Sequence, residues 1–122
     1  MNTSIGIIVR AKAIIDIDIT VAQLRVLSNA SEMHYDGACK SLSRRDGLLY
    51  RWLMIADCRG EDKVTISISS NEADLLCKIM EYRGVPFTND ECWFMQQLTV
   101  GLRKAHELTT DHIYTVQHEI LL

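Results

Sequence analysis

The chain has 122 residues and a mass of 13.9 kDa, is 48% hydrophobic and 24% charged, and carries one proline and a net charge of −3. That length makes one domain with one core, and so large an apolar fraction with so little net charge excludes intrinsic disorder. Thirteen basic against sixteen acidic residues exclude a protein that coats extended nucleic acid, which needs several uncompensated cations along a phosphate track.

In chain order, the first signal is an alternation. Ile5, Ile7, Val9, Ala11, Ala13, Ile15, Ile17 and Ile19 are all apolar while the intervening set is mixed, which predicts strand with one buried face. Fifteen residues is long for one strand, so a bend near Ala11–Ala13 or an overhang into a partner subunit is expected. Thr20 and Gln23 form a capping box that opens a helix to about Tyr35, with Val21, Leu24, Leu27 and Ala30 on one stripe. Asp36-Gly37 breaks it before a second helix.

From Leu48 to Ala56 the only charged residue is Arg51. A helix apolar nearly all round is expected to be buried on more than one side, by its own sheet or by another chain. Gly60 closes it. Lys63 to Ser69 alternates Val64, Ile66 and Ile68 with Thr65, Ser67 and Ser69, a second amphipathic strand. Ser69 and Glu72 make another capping box, opening a helix with Ala73, Leu76, Ile79 and Met80 inward and Gly84 as its stop. Val85-Pro86-Phe87 reads as extended, since the residue before proline avoids helix. Thr88 and Glu91 make a third box for a helix to about Glu107, and residues 112–121 alternate as a last strand. The expected fold is α+β: a small, mainly antiparallel sheet (strands near 5–19, 63–69 and 112–121) with about four packed helices in a single domain, 1–122.

Chemistry-bearing motifs are sparse. Cys39, Cys58, Cys77 and Cys92 are 19, 19 and 15 residues apart, without a C-x-x-C pair, so zinc-ribbon and thioredoxin chemistry lack their spacing. Arg10 and Lys12 interrupt the first apolar stretch, unlike a secretory signal, and reduced, mostly buried thiols in a cytosolic protein are expected. The charge-free runs are too short for a membrane span. Dinucleotide, P-loop, zincin and nucleophile-elbow motifs are all missing. The reading is accordingly not an enzyme, with no cofactor and no metal. His34-Tyr35-Asp36 beside Cys39 can be written as a nucleophilic constellation, against a plain helix-junction role. His106, His112 and His118 recur every six residues, with no carboxylate or cysteine at metal-ligand spacing.

Two places remain for an anion. Lys40, Arg44, Arg45 and Arg51 against Asp46 give a local charge of +3 within twelve residues. On one helix Lys40, Arg44 and Arg51 share a face that suits phosphate, and the plainer reading is a solvated surface. Phe87, held by proline beside a helix N-terminus, suits stacking on a base, and the alternative is a hydrophobic staple onto Cys92. Arg103 and Lys104 at the far end of that helix also complement its C-terminal dipole.

The long opening strand resembles part of a known layout. So do the runs Met33-His-Tyr-Asp36-x-x-Cys39-Lys40, Leu48-Leu-Tyr-Arg-Trp52 and Asn71-Glu-Ala-Asp-Leu-Leu-Cys77-Lys. Together they are similar to small accessory proteins of bacteriophages and prophages, and the size and order of elements look most like the Thoeris anti-defence sponge family. The resemblance implies a non-enzymatic protein that binds and sequesters a cyclic ADP-ribose-type signal in the host cytosol, within a homo-oligomer. It also implies a site of aromatic stacking, arginine contacts to pyrophosphate and an amide for ribose or base edge. By residue type Phe87, Asn89 and Arg103 suit those roles, with Arg44, Arg45 or Arg51 donating from the same or a neighbouring chain. The competing expectation is a phage-type inhibitor or adaptor that binds protein and no small ligand.

Overall fold

The computed structural model describes residues 5–10, 14–81, 87–110 and 118–120. Its elements are β1 (Gly6–Arg10), β2 (Ile14–Thr20), α1 (Val21–Met33), α2 (Gly37–Lys40), α3 (Leu48–Arg59), β3 (Lys63–Ile68), α4 (Ser70–Ile79), α5 (Asn89–Thr110) and β4 (His118–Ile120). The strands form one sheet in the order β3-β2-β1-β4, with every pairing antiparallel. The fold is the expected small α+β arrangement.

The opening alternation is two strands rather than one. β1 turns back on β2 with Ile7 opposite Ile17, Val9 opposite Ile15 and Arg10 opposite Ile14. This register pairs odd positions with odd, so one unbroken alternation buries the same face before and after the reversal. Ile7, Val9, Ile15, Ile17 and Ile19 all lie under the helices, joined by Val64, Ile66 and Ile68 of β3. The other face carries Asp16, Asp18, Thr65 and Ser67. There Ser67 donates to Asp16 at 2.7 Å, and the Thr65 hydroxyl donates to Asp18. Polar cross-strand pairs of this kind suit a sheet face that helices leave uncovered. Residues 111–117, most of the expected last strand, lie outside the described residues.

All three capping boxes form. Thr20 and Gln23, Ser69 and Glu72, and Thr88 and Glu91 each exchange side-chain and backbone hydrogen bonds at 2.8–3.2 Å. At the start of α1 the Val21 amide also donates to the Asp62 carbonyl at 2.8 Å, tying this helix to the approach to β3. Gln23 is buried, and among the described residues its Nε2 has no acceptor. α4 ends at Ile79, ahead of the expected stop at Gly84, and residues 82–86 lie outside the described residues. α5 is long, and its Phe94, Met95, Leu98, Leu102 and Ala105 form the stripe against β1 and α4.

The stretch between Lys40 and Arg51 departs from the expected single helix. α2 ends at Lys40, and α3 begins only at Leu48. Asp46 takes a left-handed conformation (φ 66°), and Gly47 lies pressed against the loop before it. A Cβ on Gly47 would stand 2.1 Å from the Ser41 carbonyl oxygen and 2.6 Å from that of Leu42. The shared basic face of Lys40, Arg44 and Arg51 therefore does not exist. α3 is also less buried than its composition suggests. Leu48, Leu49 and Ala56 are buried, while Tyr50 and Met54 face outward, 37% and 45% exposed. Gly60 caps the helix in the left-handed region, as expected (φ 63°).

Gly47→Ala forces a methyl into backbone oxygens that cannot yield. Overpacking of this kind costs about 3 kcal/mol, and thermal unfolding should shift down by roughly 10 °C. Gly37→Ala, where nothing lies near the added carbon, should leave the transition within about 0.5 kcal/mol of the parent.

Candidate functional site

A groove of about 510 Å³ opens where the ends of β2 and β3 meet α3. Asp18, Trp52, Arg59, Glu61, Lys63 and Thr65 line it. The register sets Asp18 opposite both Thr65 and Gly6, and Thr20 opposite Lys63. Gly6 lies close beside Asp18: a Cβ there would stand 3.2–3.3 Å from the Asp18 side chain, which would have to shift by a few tenths of an ångström. From the helix, Trp52 and Arg59 reach the groove because seven residues are two turns. Trp52 is half-buried, its indole packed partly on the core.

Electrostatically the groove is mixed. Asp18 is engaged by Thr65, whereas neither Arg59 nor Lys63 forms an ion pair among the described residues. The volume lies within the range of small-molecule sites. A half-buried tryptophan beside two cations, two carboxylates and a hydroxyl offers stacking and hydrogen-bonding contacts of both signs to a planar polar ligand.

The residues singled out from the sequence lie elsewhere. Phe87 lines a second, shallower recess of about 360 Å³ with Asn29, Glu32, Met33 and Glu91. Two carboxylates rim it, and Glu91 caps α5 by accepting from the Thr88 amide at 2.8 Å, so this helix N-terminus is already supplied with negative charge. Asn89 is exposed on the first turn of α5, and Arg103 is exposed about 21 Å further along it, at 1.5 Å per residue. That span keeps the two from meeting on one nucleotide within one chain.

Arg44 and Arg45 sit exposed in the turn before α3, and Arg51 on its first turn. The N-terminus beside them offers no free cradle, because the Leu42 carbonyl accepts from the amides of Leu49 at 2.8 Å and Tyr50 at 3.3 Å. None of the six lines the larger groove. Sequence reasoning missed that groove because Asp18, Trp52, Arg59 and Lys63 come from three elements. The one available signal was Trp52 and Arg59 seven apart on an apolar helix.

Among the described residues the fold brings together a further cluster beside those named from the sequence. Ser70 Oγ lies 2.8 Å from His106 Nδ1, and Asp74 Oδ1 lies 3.9 Å from the same nitrogen. A Ser-His-Asp relay needs the hydroxyl and the carboxylate on opposite ring nitrogens. His34 Nδ1 accepts from the Asp36 amide at 3.0 Å, and its ring stacks on Tyr35. Cys39 is fully buried, its carbonyl accepting from the Ser31 hydroxyl at 2.5 Å. Burial pushes its thiol above the ordinary value of 9.0, and the Asp36 carboxylate pushes the same way. Burial raises Cys77 too, against the opposing pull of Arg103. Neither is the low-pKa thiolate that nucleophilic catalysis uses. All four cysteines are free, but only Cys39 is fully buried and Cys58 is exposed, a correction to the expectation of mostly buried thiols. No group of ligating side chains suited to a metal occurs among the described residues, and no helix there is long and apolar enough to cross a membrane.

No family model matches the chain, no curated protein matches its sequence, and no solved structure matches its fold.

Native protein treated with an aromatic disulfide reagent should react at once at Cys58 and at Cys39 only on unfolding. The fold favours the neutral Cys39 thiol, so that contribution is complete below pH 9.0 and is lost as pH rises through and above it. Denaturant midpoints measured across this range should fall in the parent, and fall less in Cys39→Ala.

Proposed function

We propose that this protein is a non-catalytic binding module for a compact anionic nucleotide of the cyclic ADP-ribose type. It acts as a homo-oligomeric anti-defence sponge of phage or prophage origin in the host cytosol. The observation that carries the reading is the groove of Trp52, Arg59 and Lys63. It combines a half-buried indole for a base with two cations, unpaired among the described residues, for a pyrophosphate. Glu61 and Asp18 on the same rim suit ribose hydroxyls or an exocyclic amine. The ligand site thus moves from Phe87, Asn89 and the arginines at 44, 45, 51 and 103 to the junction of β2, β3 and α3.

A second reading, a protein-binding inhibitor or adaptor, is favoured by one observation. Trp93 and Val100 lie seven apart on the outer face of α5, 47% and 41% exposed. An apolar pair at that spacing on a helix is the anchor pattern of a protein contact.

The test is titration with cyclic ADP-ribose isomers, linear ADP-ribose and cyclic dinucleotides, with melting temperature and tryptophan emission as readouts. In Trp93→Phe, emission from the remaining Trp52 should change on binding. Ligand at one hundred times Kd stabilises by about 2.7 kcal/mol, a rise of roughly 10 °C. Arg59→Ala and Lys63→Ala should each weaken binding about tenfold without lowering the melting temperature of the free protein. No response to any nucleotide sinks the ligand reading and favours the protein-binding one. Ligand recovered chemically altered would make the protein an enzyme.

A further inference from the structure

The outward face of α3 consists of Tyr50, Arg51, Met54, Asp57 and Cys58, all exposed. At 100° per residue these five fall in one stripe, roughly opposite Trp52 and Arg59. The stripe has a polarity: a cation at its N-terminal end, an acid at its C-terminal end and methionine between. Such a pattern is complementary to itself when reversed. We propose that α3 packs antiparallel against α3 of a second copy of this chain, about a twofold axis through Met54.

Centring the pair on Met54 places Arg51 opposite the partner's Asp57, Tyr50 opposite the partner's Cys58, and Met54 on the partner's Met54. Each oppositely charged pair then occurs twice, as an isologous contact requires. Asp57 already accepts from Arg25 of its own chain at 3.1 Å through Oδ1, and among the described residues its second oxygen is open to the incoming guanidinium. A parallel pair would instead set Arg51 on Arg51 and Asp57 on Asp57, like charge on like. Leu53 and Ile55, half-buried in one chain, flank the stripe and would lose further water on contact. This gives a surface to the proposed association and does not involve the groove, which lies on the other side of the helix. Ligand binding and dimerisation therefore succeed or fail separately.

Light scattering on a sizing column should give twice 13.9 kDa for the parent, and 13.9 kDa for Met54→Glu with an unchanged far-ultraviolet spectrum. Cross-linking with a mild copper oxidant fixes the direction. In the antiparallel pair Tyr50→Cys meets the partner's Cys58 and should form a covalent dimer that Cys58→Ser abolishes. Native Cys58 should form none, because the two copies stand about 12 Å apart along the axis, beyond disulfide reach. A parent that runs as a monomer overturns the proposal, whatever the nucleotide titration shows. A dimer in which native Cys58 cross-links, or in which Tyr50→Cys does not, overturns this surface and leaves association by another one.

Discussion

Pairing Ile7 with Ile17 and Val9 with Ile15 gathers the apolar side chains of two strands on one side of a ribbon, and the helices sit where they do because of it. β3 extends the same side with Val64, Ile66 and Ile68, so the buried face of the sheet is almost entirely β-branched. Against it lie Leu24 and Leu27 of α1, Leu76 and Ile79 of α4, and Phe94, Met95 and Leu98 of α5. A slip of one residue in β2 would carry Ile15, Ile17 and Ile19 to the open face and bring Asp16 and Asp18 into the core, several kcal/mol for each unpaired carboxylate. The polar ladder on the other face, Ser67 to Asp16 and Thr65 to Asp18, reinforces the same register.

The local parts of this fold were legible in the sequence. Each capping box is a contact between residues three apart, so Thr20 with Gln23, Ser69 with Glu72 and Thr88 with Glu91 could be read without knowing what they pack against. The hairpin was not legible, for a specific reason: its odd-to-odd register leaves the alternation of residues 5–19 unbroken. The break between Lys40 and Leu48 was hidden as well. Basic residues at spacings of four and seven look helical and masked the one local sign, Asp46-Gly47, the same dipeptide as the break at Asp36-Gly37. In the structure Asp46 is left-handed and Gly47 fits against the carbonyls of Ser41 and Leu42.

The groove shows the same division. Its chemistry comes from an aspartate on β2, a tryptophan and an arginine on α3, and a lysine opening β3. No spacing joins Asp18 to Trp52 or Trp52 to Lys63 until the β2–β3 register and the packing of α3 on α1 and β3 are known. The residues chosen from sequence were chosen for type and for nearness to a helix end. Both helix ends proved occupied, one by the Leu42 carbonyl and the other by Glu91 with Thr88. A helix N-terminus attracts an anion only while its amides lack another acceptor.

α3 carries apolar side chains that the core of one chain does not bury. Its stretch from Leu48 to Ala56 has one charge, and that composition suggested burial all round. The helix instead divides its circumference three ways. Leu49 and Ala56 enter the core, Trp52 turns with Arg59 toward the groove, and Tyr50 with Met54 faces outward beside Arg51 and Asp57. Only the first of these sectors is fully buried by the described residues. Trp52 is half-buried, so the proposed planar ligand would cover the rest of its ring, and the outer sector holds opposite charges at its two ends, which the proposed reversed copy would match. Of the exposed large apolar side chains, Tyr50 and Met54 lie on α3, Met33 and Tyr35 at and just after the end of α1, and Trp93 and Val100 on α5. In the proposed antiparallel pair, contact with a second copy would take Tyr50 and Met54 out of water, the gain that would drive the association.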